Sequence, residues 1–172
     1  MSGHAASAPT PIRLCFVCLG NICRSPIAEG VFGELVRRRG LHARFVVASA
    51  GTGDWHVGHP ADRRAIAAAA ARGIDLRAHR ARQFRVDDFA RFDVVVAMDR
   101  SNHAVLQRLA RRLPTPADLR LFMPYVDAAA RGESLDVPDP YYGGPEDFER
   151  VLDLCEAGCA GLLDALLAER RL

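Results

Sequence analysis

Lysine is absent from this chain of 172 residues, so all 23 of its basic side chains are arginines. They are spread from Arg13 to Arg171 and are nearly balanced by 21 acidic residues, which leaves a formal net charge of +2. Proteins whose main task is to bind nucleic acid concentrate basic side chains on one surface. The scattered and balanced charges therefore argue against a nucleic-acid partner.

Long apolar runs are also missing. No run approaches the roughly 20 apolar residues that a membrane-spanning helix needs, so no membrane association is expected. The opening residues, MSGHAASAPTP, have neither the charged nor the apolar region of a secretory signal. We therefore expect a cytoplasmic protein with a disordered tail over residues 1–11.

Cysteine is scarce, and the spacing of the five cysteines does not suit a disulfide-stapled secreted scaffold. Cys15 and Cys18 form a C-x-x-C motif that Cys23 extends toward a metal cluster. No fourth ligand lies nearby in the sequence and Cys15 falls inside an apolar run, so no metal is expected and Cys15 is assigned to the core. Cys155 and Cys159 lie one turn apart on the apolar side of a predicted helix and are also assigned to the core.

Short apolar runs alternate with segments of helical periodicity along the chain. Ser25 and Pro26 suit the N-cap and first turn of the first helix, and Asp99 suits the N-cap of a later one. Strands are predicted over residues 12–18, 45–48, 92–98 and 119–123. Helices are predicted over residues 25–39, 60–73, 102–112 and 145–172.

This alternation implies parallel pairing of the strands through right-handed crossovers. A chain of this length suits one domain with a substantial core. The predicted fold is therefore α/β, with residues 12–172 forming a single domain. It contains a four-stranded parallel sheet flanked by helices on both faces, and the turn after the first strand is its candidate ligand site.

The stretch VCLGNICRSP, residues 17–26, forms that turn. No Gly-Lys-Ser or Gly-Lys-Thr follows its glycine, so it is not a nucleoside triphosphate loop. Instead Cys18 is followed at a spacing of five residues by Arg24 and then by Ser25. A loop of this length can curl so that successive N–H groups point inward and bind the oxygens of a phosphoryl group.

The residue types in this loop suit that conformation and a nucleophilic role for the cysteine. Gly20 and Asn21 tolerate the positive φ that such curling needs. Arg24 offers a planar fork to two phosphoryl oxygens, and the following helix adds the positive end of its dipole. With a hydrogen bond from the Ser25 hydroxyl, these groups favour the thiolate form of Cys18, which is a nucleophile.

From Ile12 to about Arg170 the chain resembles the low-molecular-weight protein tyrosine phosphatases. Five motifs occur in the order typical of that family, which makes the resemblance far more specific than the Cys-x5-Arg spacing alone. They are VCLGNICRSP at 17–26, SAGTGDWHVGHP at 49–60, GIDLRAHRARQ at 73–83, VAMDRSN at 96–102 and DPYYGG at 139–144.

The resemblance implies a phosphatase that forms a phosphocysteine on Cys18 and needs no cofactor or metal. Asp139 would protonate the leaving phenolate and then act as base toward water. The implied catalytic residues are Cys18, Arg24 and Asp139. The implied phosphate-binding and loop-orienting residues are Leu19, Gly20, Asn21, Ile22, Cys23, Ser25, Ser49 and His79. The implied walls of an aryl-accepting slot are Trp55, Tyr141 and Tyr142.

The resemblance also implies a reversible disulfide between Cys18 and Cys23, and a phosphotyrosine-containing protein as the substrate of a monomer or weak dimer. Three other functions remain open. An arsenate reductase on this fold would need further cysteines in the middle of the chain, where none occurs. A protein-arginine phosphatase of this family typically has a small threonine where Ile22 stands. A phosphate-binding module without turnover would have no use for Asp139.

Overall fold

The computed structural model describes residues 10–170, and its backbone alternates strands and helices. Residues 1–9 of the predicted tail lie outside the described residues. The strands are β1 (Ile12–Cys18), β2 (Phe45–Gly51), β3 (Val94–Ala97) and β4 (Asp118–Leu121). The helices are α1 (Arg24–Arg38), α2 (Arg63–Ala71), α3 (Asp88–Arg91), α4 (Arg100–Ala110), α5 (Ala128–Arg131) and α6 (Pro145–Arg170).

The four strands form one parallel sheet in the order β2-β1-β3-β4, which confirms the predicted fold class. Strand β1 is central, and Phe16 pairs with Ser49 on one side and with Val96 on the other. The chain leaves β1 toward β2 and later returns to the other side of β1 as β3. This reversal opens a crevice at the carboxyl end of β1, where ligands of open α/β sheets bind.

Successive side chains of β1 enter two separate apolar clusters, one on each face of the sheet. Leu14 and Phe16 pack with residues of α1, α2 and α6. Cys15 and Val17 pack on the opposite face with residues of α3 and α4, among them Leu106. The period of two residues therefore places helices on both faces, as the sequence predicts.

Three predicted helix starts are wrong: α4 begins at Arg100 rather than at residue 102, and the starts of α1 and α2 also differ. Helix α1 begins at Arg24, and the Ser25 side chain does not cap it, because its hydroxyl lies beside Cys18 instead. Helix α2 begins at Arg63 rather than near Pro60, because the Asp62 side chain is the one that accepts a hydrogen bond from a first-turn N–H group. The predicted cap of α4 is confirmed, since Asp99 accepts a hydrogen bond from the Asn102 N–H group.

Helix α6 is the longest helix and packs against α1 and α2. Cys155 and Cys159 lie on its buried face, and burial raises the pKa of both thiols well above the usual range. Cys15 is likewise fully buried in β1, which confirms the core assignment of all three. No helix within residues 10–170 has the length and apolar character needed to cross a membrane.

The packing of α6 leads to one prediction about the free energy of unfolding. A methyl group at Gly161 would overlap the carbonyl oxygen of Tyr125, so Gly161→Ala should lower the free energy of unfolding by about 1–3 kcal/mol. Gly33→Ala in α1 is the control, because no described atom other than the adjacent backbone of its own helix lies within 4 Å of its Cβ position. It should raise the free energy of unfolding by about 0.5–1 kcal/mol. Urea unfolding measures both, and equal shifts would contradict the assigned contact.

Candidate active site

The loop between β1 and α1 curls around the sulfur of Cys18, the last residue of β1. We call residues 18–25 the phosphate loop. The sulfur lies 3.0 Å from the Ser25 hydroxyl and accepts a hydrogen bond of 3.3 Å from the Asn21 N–H group. Both contacts stabilise negative charge on the sulfur. Cys18 is only 3% exposed and lies at the base of an open cavity of about 250 Å³.

The cavity brings together most of the residues that the sequence assigns to the site. All of its lining residues except His56 are predicted site residues, and the remaining predicted residues belong to the phosphate loop or contact Asn21 within it. The lining consists of Cys18, Leu19, Gly20, Ile22, Cys23, Arg24, Trp55, His56, Asp139, Tyr141 and Tyr142. The predicted residues outside the lining are Asn21 and Ser25 of the phosphate loop, and Ser49 and His79, which bond to Asn21.

Asn21 has a left-handed backbone, with φ of 57°, and is fully buried. Its side-chain amide donates to the hydroxyls of Ser25 at 2.8 Å and Ser49 at 2.9 Å. Because the Ser25 oxygen accepts this bond, its single proton is free to donate elsewhere. The Cys18 sulfur at 3.0 Å and the Ala50 carbonyl at 3.3 Å compete for it, and the shorter contact to a larger atom favours the sulfur.

Further contacts fix Asn21 from the loop that follows α2. The ring Nε2 of His79 donates to the Asn21 carbonyl at 2.7 Å, and the Arg82 N–H group donates to its Oδ1 atom at 2.9 Å. On the other side, Ser49 donates to a carboxylate oxygen of Glu29 at 2.5 Å. Sequence reasoning missed Glu29 and Arg82, because neither pairing follows from spacing along the chain.

Glycines allow the phosphate loop to approach β2 closely, but not in the way the sequence predicts. Gly20 does not have a positive φ, which corrects the expectation that it shares this role with Asn21. A Cβ atom at Gly20 would instead lie 2.9 Å from the ring of His56. At Gly51, a Cβ atom would lie 2.7 Å from the Leu19 carbonyl oxygen, so this end of β2 requires glycine.

Arg24 is buried beside the cavity, and groups from two other segments of the chain hold its guanidinium. Its Nη1 atom donates to Asp99 at 2.6 Å and to the Val137 carbonyl at 3.0 Å, while Nη2 lies 3.5 Å from Asp139. Burial lowers the pKa of Arg24, but the charges of Cys18 and the two aspartates outweigh it and raise the pKa overall. The guanidinium therefore stays charged at the cavity wall, where it can bind an anion.

Asp139 lies on a segment that we call the acid loop, residues 137–144. Its Oδ1 atom accepts a hydrogen bond of 3.2 Å from the Tyr141 N–H group, and its Oδ2 atom faces Arg24. The side chain is 44% exposed, so water reaches it. Asp139 and the solvent-shielded Cys18 line the same cavity.

Aromatic side chains form the rim of the cavity. Trp55 is 57% exposed, so it is not a core residue, and its ring covers Gly53, where a Cβ atom would overlap it. Tyr141 and Tyr142 meet edge to face, with ring centroids 4.8 Å apart. The ring of His56 approaches both groups: its centroid lies 6.2 Å from the ring centroid of Trp55 and 6.4 Å from that of Tyr141. Its position next to Trp55 in the sequence is the signal that could have indicated it.

Cys23 is 4% exposed and lines the cavity beside Cys18. Burial, followed by the charge of Asp62, raises the pKa of its thiol well above the usual range. All five cysteines are free thiols. Within residues 10–170 no cluster of three or more histidine, cysteine, aspartate or glutamate side chains is arranged to hold a metal ion.

Comparison with known proteins agrees with this geometry. The sequence model of the low molecular weight phosphotyrosine protein phosphatase family matches residues 13–172. A low molecular weight protein-tyrosine-phosphatase from Streptomyces coelicolor is 49% identical over 154 residues, which are 90% of this chain and 93% of that protein. The crystal structure of YfkJ from Bacillus subtilis has a TM-score of 0.85 at 36% identity and covers 95% of this chain and 99% of its own. The crystal structure of a Drosophila arginine phosphatase has a TM-score of 0.83 at 30% identity and covers 90% of this chain and 98% of its own. This chain belongs to the low molecular weight phosphotyrosine protein phosphatase family.

Proposed function

We propose that the protein hydrolyses phosphotyrosine in protein substrates through a phosphocysteine on Cys18. One observation carries the proposal: a single cavity holds the Cys18 sulfur, the Arg24 guanidinium and the Asp139 carboxyl group. These are a nucleophile, an anion-binding group and a proton donor. A module that only bound phosphate would need the anion-binding group but neither the nucleophile nor the proton donor. The presence of all three groups therefore favours turnover.

In the first step the Cys18 thiolate attacks phosphorus while the bond from phosphorus to the tyrosine oxygen breaks. Arg24 and the N–H groups of the phosphate loop hold the equatorial oxygens, whose charge is spread in the transition state. Asp139 gives its proton to the leaving phenolate oxygen. Dephosphorylated tyrosine leaves, and the phosphoryl group remains on sulfur.

In the second step water attacks phosphorus from the side that the tyrosine has left. The Asp139 carboxylate, now deprotonated, takes a proton from this water. The bond between sulfur and phosphorus breaks, which releases inorganic phosphate and restores the thiolate. The Ser25 hydroxyl and the Asn21 N–H group stabilise that thiolate as a leaving group.

The rim supports an aryl substrate. Trp55 and Tyr141 present exposed rings on the two sides of the opening, and a phenyl ring between them gains offset or edge contacts. The sulfur lies below that rim, so a phosphoryl group on a short aliphatic side chain reaches it less easily. The recessed position of Cys18 therefore favours phosphotyrosine over phosphoserine.

A phosphoarginine substrate is the second candidate, because one structural relative is an arginine phosphatase. Ile22 lines the cavity of this chain and is bulkier than the threonine expected for that activity. An arsenate reductase is disfavoured because Cys155 and Cys159 are buried in α6 and cannot carry a disulfide outward. Ile22 and the aromatic rim together favour the tyrosine substrate.

We also infer that residues 12–172 act as one phosphatase domain in the cytoplasm. The scarcity and uneven spacing of the cysteines, which do not suit a disulfide-stapled scaffold, support a reducing setting. The proposed partner is a phosphotyrosine-containing protein, bound by a monomer or weak dimer of the enzyme. The reversible disulfide between Cys18 and Cys23 remains part of this proposal, since both line the same cavity.

The proposed function is tested with three phosphopeptides that carry phosphotyrosine, phosphoserine or phosphoarginine, in the presence of reductant and chelator. Phosphate release should be rapid for phosphotyrosine alone. Cys18→Ser should abolish turnover but leave binding of inorganic phosphate measurable by calorimetry, because Arg24 and the loop amides remain. Preference for phosphoarginine would reject the tyrosine substrate, and activity in Cys18→Ser would reject the phosphocysteine.

The acid role of Asp139 predicts a dependence on the leaving group. Asp139→Asn should lower kcat/KM for phenyl phosphate by about 10²–10³-fold, because phenolate needs a proton as it leaves. The loss for p-nitrophenyl phosphate should be about tenfold or less, since nitrophenolate is a stable anion. Glu133→Gln, at an exposed carboxylate that precedes Asp139 in the chain and does not line the cavity, is the control and should change neither value. Equal losses on both esters would show that Asp139 is not the acid.

The rim role of Trp55 predicts a dependence on the substrate's ring. Trp55→Ala should lower kcat/KM for an aryl phosphate about three- to tenfold more than for an alkyl phosphate, because ring contacts of about 0.5–1.5 kcal/mol are lost. Val57→Ala is the matched control, since Val57 is exposed in the same loop but outside the cavity lining. A loss that is the same for both substrates would assign Trp55 to the scaffold.

A further inference from the structure

Arg64 lies in the first turn of α2, outside the cavity, and contacts the acid loop at two points. Its Nη2 atom donates to the Tyr141 carbonyl at 2.9 Å, and its Nη1 atom donates to the Gly143 carbonyl at 3.3 Å. These two carbonyls belong to the segment that follows Asp139. No family motif identified in the sequence includes Arg64, and the proposed chemistry does not use it.

Asp62 holds Arg64 in this position. The carboxylate accepts hydrogen bonds from Nε at 3.0 Å and from Nη2 at 2.9 Å, a paired geometry that a lysine could not form. The guanidinium also lies over the ring of Phe148, 4.7 Å from its centroid. The pKa of Asp62 is held below its usual range, chiefly by Arg64, so the pair stays charged at neutral pH.

Asp62 also connects this pair to the phosphate loop. Its N–H group donates to the Ile22 carbonyl at 2.8 Å, and its carboxylate caps α2 through the Arg64 N–H group. One short segment therefore bonds to the loop that carries the nucleophile and, through the Arg64 side chain, to the loop that carries Asp139. The two loops are otherwise separated by more than a hundred residues of chain.

Tyr141 transmits the contact from Arg64 to Asp139. Its N–H group donates to Oδ1 of Asp139, and its carbonyl accepts a hydrogen bond from Arg64. The backbone N–H and carbonyl groups of Tyr141 are therefore both held in place. The acid loop is anchored upstream at Val137, which bonds to Met98 and to Arg24. Downstream it is anchored where Gly144 donates to Asp147 in the first turn of α6. Between these anchors two side chains from outside the loop reach it: Arg24 lies 3.5 Å from the Asp139 carboxylate, and Arg64 bonds the backbone carbonyls of Tyr141 and Gly143.

We propose that Arg64 is a positioning residue that holds the acid loop, and with it the Asp139 carboxyl group, at the correct distance from the leaving oxygen. This inference rests on the proposed role of Asp139 as the general acid. Proton transfer in a transition state depends steeply on geometry, so a displacement of about 1 Å is enough to lower the rate considerably. The pair of Arg64 with Asp62 is partly exposed and contributes little to overall stability.

The first test compares Arg64→Ala with Arg63→Ala, which removes the same charge from an exposed arginine next to it in α2. Arg64→Ala should lower kcat/KM for phenyl phosphate about tenfold and for p-nitrophenyl phosphate less than about twofold, because only the first ester needs the acid. Binding of inorganic phosphate should not change. Arg63→Ala should behave like the wild type. Equal losses on the two esters, or weaker phosphate binding, would overturn the proposal.

The second test combines Arg64→Ala with Asp139→Asn. If Arg64 acts only through Asp139, the double variant should be no slower on phenyl phosphate than Asp139→Asn alone, and independent losses that multiply would overturn the inference. Asp139→Asn alone tests the acid role separately. If that variant loses both esters equally, the proposed acid is wrong whatever Arg64 does.

A third variant guards against a folding defect in Arg64→Ala. Asp62→Asn removes the charged partner of Arg64 but keeps a residue that caps helices well, so α2 should remain folded. It should show the same selective loss on phenyl phosphate, smaller than that of Arg64→Ala, with a melting temperature close to that of the wild type. Wild-type behaviour of both Asp62→Asn and Arg64→Lys would contradict the paired geometry on which the proposal depends.

Discussion

The left-handed backbone of Asn21 is the constraint on which the rest of the site depends. A residue with a Cβ atom pays about 1–2 kcal/mol for this conformation, so it persists only where neighbouring groups fix it. Here each polar group of Asn21, in both backbone and side chain, takes part in a hydrogen bond, and the resulting turn points its N–H group at the sulfur of Cys18. The partners are Cys18, Ser25, Ser49, His79 and Arg82.

These partners come from separate parts of the chain, so the phosphate loop takes its shape from the folded sheet rather than from its own sequence. Ser49 lies within β2, opposite Phe16 of β1, and Gly51 faces Cys18 in the same register. The absence of a Cβ atom at Gly51 lets the Leu19 carbonyl approach. Formation of the parallel pair between β1 and β2 is therefore a condition for the observed shape of the phosphate loop.

Much of the fold and the site could be predicted because apolar periodicity and short motifs are local signals. The strands, the long helix α6 and the residues around Cys18 follow from such patterns. The predictions that failed, and the residues that were missed, concern which group a side chain contacts in the folded protein. Ser25 suits a helix cap by residue type, but its hydroxyl lies beside a sulfur and an amide that compete successfully for it. The contacts of Glu29 and Arg64 depend on how distant segments approach, and periodicity does not encode that approach.

The site divides into a buried base and an exposed rim, and under the proposed function this division separates catalysis from selectivity. Asn21, Ser25 and Arg24 are at most 3% exposed, so a change there leaves a buried polar partner unsatisfied and affects stability as well as chemistry. Trp55 and Tyr142 at the rim are 57% and 96% exposed and contribute little to the core. Under the proposed function, a change at the rim alters which ring or peptide the cavity accepts, while the phosphate loop below keeps its geometry. The substrate preference can then change at low cost in stability, because the residues that would select the substrate are not the residues that would hold the nucleophile.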